Sequence, residues 1–311
     1  MAYVYIGTDK GVNLYDADVN GKLTLVKGSP FQVIGSIWGS NRKHFITLGT
    51  YWVHSYPVAA NGGIGKQVST VDTQSYLGAD CGSTDNSILD HTGQNIYVFV
   101  NMGGDGCAAY QSYNINKSTG ALTFNDAVLH NNGGPWHVNP TFTADDKFAY
   151  ALEAWQYGDK PEMVAFTRDN NGGLQMLNFT ETDPTPQARW QYWPSTMTED
   201  PTNHLAMGVV PYDFMNGTGG PIQLASYTVD AAGNITSTNT WENMPTPDVS
   251  PSTMNMSPSG KLLAIGGNQG DYVYGPSPNG LEVFHFNGAN PITPYSAAER
   301  VNDFETGDAR V

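Results

Sequence analysis

Three residues in loop-like segments carry side chains suited to acid–base chemistry or to anion binding: His137, Arg189 and Glu153. His137 ends the run Gly133-Gly134-Pro135-Trp136-His137. An imidazole titrates near neutral pH, so His137 is a candidate general acid or base. The alternative is a packing histidine beside Trp136, with no part in chemistry.

Arg189 lies in the run Gln187-Ala188-Arg189-Trp190. A guanidinium can hold a carboxylate or a phosphate through two parallel hydrogen bonds. The chain has only 14 Lys and Arg residues, so an arginine among Trp190, Tyr192 and Trp193 is a candidate anion-binding group. In the alternative interpretation Arg189 stacks on those rings as a structural contact.

Glu153 begins a loop-like segment after an apolar run. Its carboxylate can reach His137 or Arg189 if that loop folds inward; otherwise it is a solvated surface glutamate. Aromatic residues surround these candidates and predict a surface on which a ring can stack. The predicted substrate contacts are Trp136, Trp155, Trp190 and Tyr192.

The stretch from Ile88 to Phe124 shows which elements must position these residues. It predicts four short strands, separated by the polar turn His91–Gln94, a glycine-rich loop and the turn Asn116–Gly120. Strand, turn, strand, loop, strand, turn, strand is one blade of a β-propeller. The sequence therefore predicts an all-β fold built from copies of this unit.

The apolar second strand of each unit recurs six times, at intervals of 41 to 57 residues. These predicted strands are Tyr3–Gly7, His44–Gly49, Asn95–Val100, Lys147–Leu152, His204–Val209 and Lys261–Gly266. The first unit lacks an innermost strand. Either Glu299–Val311 supplies it and closes a six-bladed ring, or a seventh blade is truncated; both leave one propeller domain over residues 1–311.

Loops of a four-stranded meander fall on two faces. The tight turns share one face, and the long loops share the other. The predicted long loops are Tyr76–Ser87, His130–Asn139, Glu153–Pro161, Thr182–Pro194, Val210–Pro221 and Gly267–Asn279. The candidate residues belong to this long-loop face, where a rigid scaffold positions functional loops.

Three repeat motifs resemble those of the lactonase-like seven-bladed propellers, the family of bacterial 6-phosphogluconolactonases and fungal muconate-lactonising enzymes. They are Gly21-Lys22-Leu23-Thr24 through Gly28-Ser29-Pro30-Phe31, Ser118–Thr123, and Ser257-Pro258-Ser259-Gly260-Lys261. The resemblance implies seven-bladed ancestry and a lactone hydrolase, with His137 activating water, Arg189 binding an anionic group and Glu153 orienting the base.

This chain departs from the family at two positions. Trp190 stands where the family often has a histidine after the arginine, and Val209-Val210 stand where family enzymes carry an acidic residue. The alternative is therefore a non-catalytic propeller that binds a carbohydrate, a peptide or a protein through its aromatic loop face. An intact cluster of histidine, arginine and carboxylate favours the enzyme, and a flat aromatic face favours the binding module.

The amino-acid composition limits the kinds of partner that the protein is expected to bind. The formal charge of −15 argues against non-specific nucleic-acid binding, and no apolar stretch approaches the length of a membrane span. No zinc spacing, P-loop or Gly-x-Ser-x-Gly motif occurs, so neither a metal nor another cofactor is expected. Small lactones or carbohydrates are the expected ligands; the oligomeric state stays open.

Cys81 and Cys107 fall in the link entering the third unit and in that unit's middle loop, on one face of one blade. This placement predicts a disulfide, and hence a periplasmic or extracellular protein, although no signal peptide precedes Tyr3. Two buried free thiols and a cytoplasmic location are the alternative.

Overall fold

The fold is an all-β propeller of antiparallel blade sheets, as the repeats predict. A computed structural model describes residues 2–17, 23–76, 83–101, 108–130, 140–153, 162–181, 190–213, 218–219, 223–238, 244–247, 251–257, 259–267, 280–288 and 292–295. Within these ranges, strands are joined by turns and by one 3-10 turn, Thr73–Tyr76, and no α-helix occurs. The chain divides into two compact units, residues 1–137 with 169–174, and residues 138–168 with 175–311.

The first unit holds three blades. Blade I is β1 (Ala2–Thr8), β2 (Gly11–Ala17) and β3 (Leu23–Leu25). Blade II is β4 (Ser36–Ser40), β5 (His44–Leu48), β6 (Trp52–Pro57) and β7 (Ser69–Asp72). Blade III is β8 (Ser83–Leu89), β9 (Asn95–Asn101), β10 (Ala108–Ile115) and β11 (Leu122–His130).

The second unit holds the other three blades. Blade IV is β12 (Thr141–Phe142), β13 (Phe148–Glu153), β14 (Glu162–Arg168) and β15 (Leu174–Glu181). Blade V is β16 (Trp190–Glu199), β17 (His204–Asp213), β19 (Gln223–Val229) and β20 (Ile235–Ser237), with β18 (Thr218–Gly219) paired to β17. Blade VI is β21 (Pro251–Met256), β22 (Leu262–Gly267), β23 (Gly280–His285) and β24 (Thr293–Pro294).

Blade I has three strands in the described part of the chain, with β1 at its edge. This agrees with the expectation that the first unit lacks its innermost strand. The segment Glu299–Val311 lies outside the described residues, so its pairing with Tyr3–Gly7 stays a prediction. The choice between six-bladed closure and a truncated seventh blade also stays open.

The core of the first unit lies between successive blade sheets. Strand residues alternate between the two faces of a sheet, so Phe45 of β5 packs with Val12 of blade I, whereas Ile46 packs with Ile96 of blade III. Both faces of β5 and β9 are therefore buried. This explains why the second strands are continuous apolar runs and make the clearest repeat signal.

The second unit is built in the same way. Leu205 of β17 packs with Tyr150 of blade IV, whereas its neighbour Ala206 packs with Leu263 of blade VI. The hydroxyl of Tyr150 donates to the carbonyl of Gly233 at 2.9 Å, joining blades IV and V through a buried hydrogen bond. The blades of this unit are thus held together by apolar faces and by polar contacts such as this hydrogen bond.

Several strand limits differ from the predictions. β8 begins at Ser83, inside the predicted loop Tyr76–Ser87. β17 continues to Asp213, inside the predicted loop Val210–Pro221, and β16 begins at Trp190, inside Thr182–Pro194. Polar residues and Pro211 hid these extensions, because neither is typical of a strand interior.

Four innermost strands carry a break in register that marks a β-bulge. In β8 the break falls between Thr84 and Asn86, and in β16 between Pro194 and Thr196. β4 and β21 have equivalent breaks. A bulge bends a strand and increases its local twist, so each of these innermost strands is expected to bend at its bulge.

Candidate functional site

The long-loop end of blade IV places two carboxyl-bearing residues opposite each other. Glu153 is the last residue of β13, and its register partner is Glu162, the first residue of β14. Directly opposed residues of an antiparallel pair have Cα atoms about 4.5 to 5.5 Å apart. The backbone of blade IV therefore ends at the long-loop face with two glutamates in register.

The long-loop end of blade V brings an aromatic residue and an acid into register. Trp190, the first residue of β16, is the register partner of Asp213, the last residue of β17. Tyr192 is opposite Pro211 in the same ladder. Arg189 directly precedes this pair in sequence. A carboxyl-bearing residue therefore lies level with the start of β16.

The innermost strands of blades IV and V are neighbours. The Thr141 hydroxyl of β12 donates to the carbonyl oxygen of Met197 in β16, at 3.3 Å. Trp190 lies further toward the long-loop end of β16, roughly 20 Å from Met197 at the usual rise of a strand. β16 therefore extends well beyond the level at which it contacts β12.

The structure describes three of the predicted site residues: Glu153, Trp190 and Tyr192. It places Glu153 in blade IV and the two aromatic residues in blade V, each at a long-loop end. His137, Arg189, Trp136 and Trp155 lie outside the described residues, as do Cys81 and Cys107. Convergence of the site residues and the disulfide both stay predictions.

Asp213 is a candidate that the sequence interpretation missed. Val209-Val210 followed by Pro211 suggested that the strand ended before any acidic residue. Instead β17 continues past Pro211. The β17–β19 pairing ends at Val209 and pairing to β18 starts at Tyr212, so between them Pro211 is paired with β16 alone. Pro211 thus lies at a local edge of the sheet, where proline is tolerated.

Blade II has a buried histidine near the loop that joins its second and third strands, β5 and β6. His54 Nδ1 lies 2.9 Å from Thr70 Oγ1, and its Nε2 is buried without a hydrogen-bond partner. Burial lowers the pKa of His54 below its ordinary value. A neutral, enclosed ring of this kind serves packing better than proton transfer. Where the structure describes the chain, no group of His, Cys, Asp and Glu could hold a metal ion.

Two aromatic residues at the same middle loop are open to solvent. Tyr51 and Trp52 are 40% and 43% exposed. They follow Gly49 and Thr50 between β5 and β6, on the long-loop face. They were not among the predicted substrate contacts, because the selection followed the loops that hold His137 and Arg189.

Comparison with known proteins finds similarity at the level of the fold. No protein-family model matches the chain, and no curated protein matches its sequence. Solved structures do match: a Lactobacillus plantarum protein has a TM-score of 0.59 at 13% identity, with 94% of this chain and 80% of that one covered. The chain thus has the fold of known propellers at very low identity.

Two similar structures have names that describe an activity. The periplasmic gluconolactonase of Pseudomonas aeruginosa has a TM-score of 0.51 at 14% identity, covering 96% of each chain. Hydrazine synthase of Kuenenia stuttgartiensis has a TM-score of 0.57 at 14% identity, covering 91% of this chain and 73% of that one. Since one fold serves such different chemistries, the fold alone does not assign a function. Among the described residues, no helix is long and apolar enough to cross a membrane.

Proposed function

We propose that the protein is a lactonase-like hydrolase that opens a small lactone at the long-loop face of its blades. The fold shared with a gluconolactonase supports this proposal, as do the repeat motifs that resemble lactonase-like propellers. The luciferin-regenerating enzyme shares the fold too, with a TM-score of 0.53 at 12% identity over 93% of this chain and 88% of that one.

The observation that carries the proposal is the register at two long-loop ends. Asp213 is opposite Trp190, the residue that follows Arg189. Glu153 ends β13 in blade IV, opposite Glu162. Carboxyl-bearing residues thus lie at the long-loop ends of two blades.

These residue types are sufficient to hydrolyse a lactone. His137 takes a proton from water, and the oxygen of that water attacks the carbonyl carbon of the lactone. The ring C–O bond then breaks, its oxygen receives the proton from His137, and a hydroxy acid leaves. Glu153 orients the imidazole, Arg189 holds an anionic substituent, and the substrate ring contacts Trp136, Trp155, Trp190 and Tyr192.

A panel of sugar lactones tests the proposal through acid release at constant pH. We expect hydrolysis by the wild type and a loss of ~10²–10⁴-fold in kcat for His137→Ala, the usual share of a general base. His91→Ala is the matched control, because His91 is exposed in the tight turn between β8 and β9. Wild-type protein that hydrolyses none of the lactones would end the proposal.

The roles of Glu153, Glu162 and Asp213 can be distinguished by replacing each carboxylate with its neutral amide. We expect Glu153→Gln to lower kcat by roughly tenfold or more, because an oriented base loses its partner. Glu162→Gln is the control on the opposite strand. Asp213→Asn should raise KM for lactones with an anionic substituent more than for neutral ones if Asp213 positions Arg189. An equal effect of all three variants would mean that charge, rather than position, matters.

The exposed pair Tyr51 and Trp52 supports a second candidate, a module that binds carbohydrate on an aromatic face. Sugar rings present C–H groups that stack on such side chains. Calorimetric titration with oligosaccharides, comparing wild type with Trp52→Ala, tests this. Binding that Trp52→Ala abolishes, in a protein without lactonase activity, would favour the second candidate.

The proposed compartment is the periplasm or the extracellular space, in keeping with a periplasmic protein of the same fold. A disulfide between Cys81 and Cys107 suits that compartment and would stabilise the fold by about 3 kcal/mol in the chain-entropy model. Thiol titration of the unfolded protein with and without a reductant tests it. Two free thiols without the reductant would contradict the proposal.

A further inference from the structure

One contact recurs between neighbouring blades. The turn that joins the third and fourth strands of a blade holds a glycine with positive φ. This glycine packs on a residue at the start of the second strand of the blade before it, or at the start of β1 in the three-stranded blade I. In the first unit, Gly62 (φ 78°) lies on the ring of Tyr3, and Gly120 (φ 74°) lies on the ring of His44. In the second unit, Gly233 lies on Phe148 and Gly288 on His204.

The contact leaves no room for a side chain. A Cβ added at Gly120 would lie 2.5 Å from Cδ2 of His44 and 3.1 Å from Oγ of Ser55. Two hydrogen bonds also hold this turn in place. The Leu122 amide donates to Ser69 Oγ at 3.0 Å, and the Gly120 amide donates to the Asn116 carbonyl at 2.8 Å. His44 is therefore enclosed by β5, β6 and the turn of blade III.

The two histidines in this position have different surroundings. His204 Nδ1 lies 2.9 Å from Thr202 Oγ1 and 3.3 Å from Asp200 Oδ2, so this ring has a hydroxyl and a carboxylate beside it. His44 is 3% exposed, and its Nδ1 is buried without a hydrogen-bond partner. Protonating His44 at Nδ1 therefore buries an N–H for which the described residues provide no acceptor.

The basic group that acts on His44 is Lys43, which directly precedes β5 in the turn that also holds Arg42. Lys117 lies in the turn that covers His44, and Lys66 follows Gly65, which packs on Pro57, the register partner of His44. Asp90 and His91 lie in the first turn of blade III, where the carbonyl of Gly93 accepts a hydrogen bond from Asn41. Asp72 lies at the far end of β7, opposite Trp52.

We infer that the contact of His44 with the Gly120 turn is an acid-sensitive joint, which loosens blade III from blade II when the ring gains a proton. The contact of Gly288 with His204 is the comparison in the second unit, where Asp200 Oδ2 lies 3.3 Å from the ring nitrogen Nδ1. This inference does not depend on the proposed function.

The direction of the pH effect follows from the folded environment. Burial and the nearby Lys43 lower the pKa of His44 in the folded protein below its ordinary value of 6.5. The opened or unfolded state then binds more protons than the closed state. The stability that His44 contributes is therefore fully present above about pH 6.5, and it is lost as the pH falls through the lowered pKa.

Hydrogen exchange of the folded protein tests the joint. Exchange rates are corrected for the intrinsic effect of pH, and the readout is the protection of the Gly120 and Leu122 amides between pH 7.5 and pH 5. We expect protection in the wild type to fall by up to tenfold per pH unit once His44 titrates. His44→Asn should keep protection constant, since Asn95 occupies the same position in the next blade and packs against Gly172.

His204→Asn is the matched control and should leave the loss at Gly120 unchanged. His54, also buried with a lowered pKa, lies on β6, so His54→Asn shows whether it contributes to that loss. Equal acid loss in wild type and His44→Asn would overturn the inference. If His44→Asn does not fold, an NMR titration of the wild-type His44 ring decides, because a pKa at or above 6.5 would refute the joint.

Discussion

At the scale of single residues, a turn glycine that touches a neighbouring blade is one of the most constrained positions. We expect Gly120→Ala to destabilise the protein by about 2 kcal/mol, because alanine disfavours positive φ and its Cβ would overlap the His44 ring. Gly49→Ala is the control: an added Cβ there would lie 3.6 Å from His54 Nε2, an ordinary contact. Urea unfolding measures both, and equal costs would contradict the prediction.

Residue chemistry at the site could be predicted only in part. The sequence led to Glu153 because it follows an apolar run, and to Trp190 and Tyr192 because they lie beside Arg189. It missed Asp213, because Pro211 is typical of a loop and its harmless position depends on where the β17–β19 pairing stops. Such a pairing limit is a property of three strands together, which no single segment encodes.

At the scale of strands, blade-to-blade hydrogen bonds test whether sheets of the second unit stabilise one another. Tyr150→Phe removes the donor to the Gly233 carbonyl, 2.9 Å away, and leaves that buried carbonyl without its partner. We expect a loss of about 1–2 kcal/mol in the free energy of unfolding. A variant as stable as the wild type, measured by urea unfolding at pH 7, would mean that the apolar faces alone hold blades IV and V.

Strands were predictable where both faces are buried. β5 and β9 match the predicted second strands His44–Gly49 and Asn95–Val100 to within one residue, because their apolar residues leave little choice of boundary. The innermost strand β8, Ser83–Leu89, has the polar composition that is typical of a loop. β8 is a strand because its backbone pairs with that of β9 through hydrogen bonds, and polar side chains do not oppose such pairing.

At the scale of the whole molecule, blade I is asymmetric. Tyr5 of β1 packs its ring 5.0 Å from that of Phe45 in blade II, and Leu14 of β2 is fully buried on the same face. The other face carries Ile6, Leu23 and Leu25, which are 42%, 44% and 53% exposed. Exposed apolar side chains of this kind next to an edge strand favour association between molecules.

Leu25→Lys tests that face. Because Leu25 is half exposed on the short outer strand β3, we expect the free energy of unfolding to change by less than about 0.5 kcal/mol, the usual limit for a surface substitution. Association should weaken, so light scattering at high protein concentration should fall. Leu14→Ala, on the buried face, should instead cost about 2–5 kcal/mol. If Leu25→Lys destabilises the protein as strongly as Leu14→Ala does, that face is covered in solution and blade I is packed on both sides.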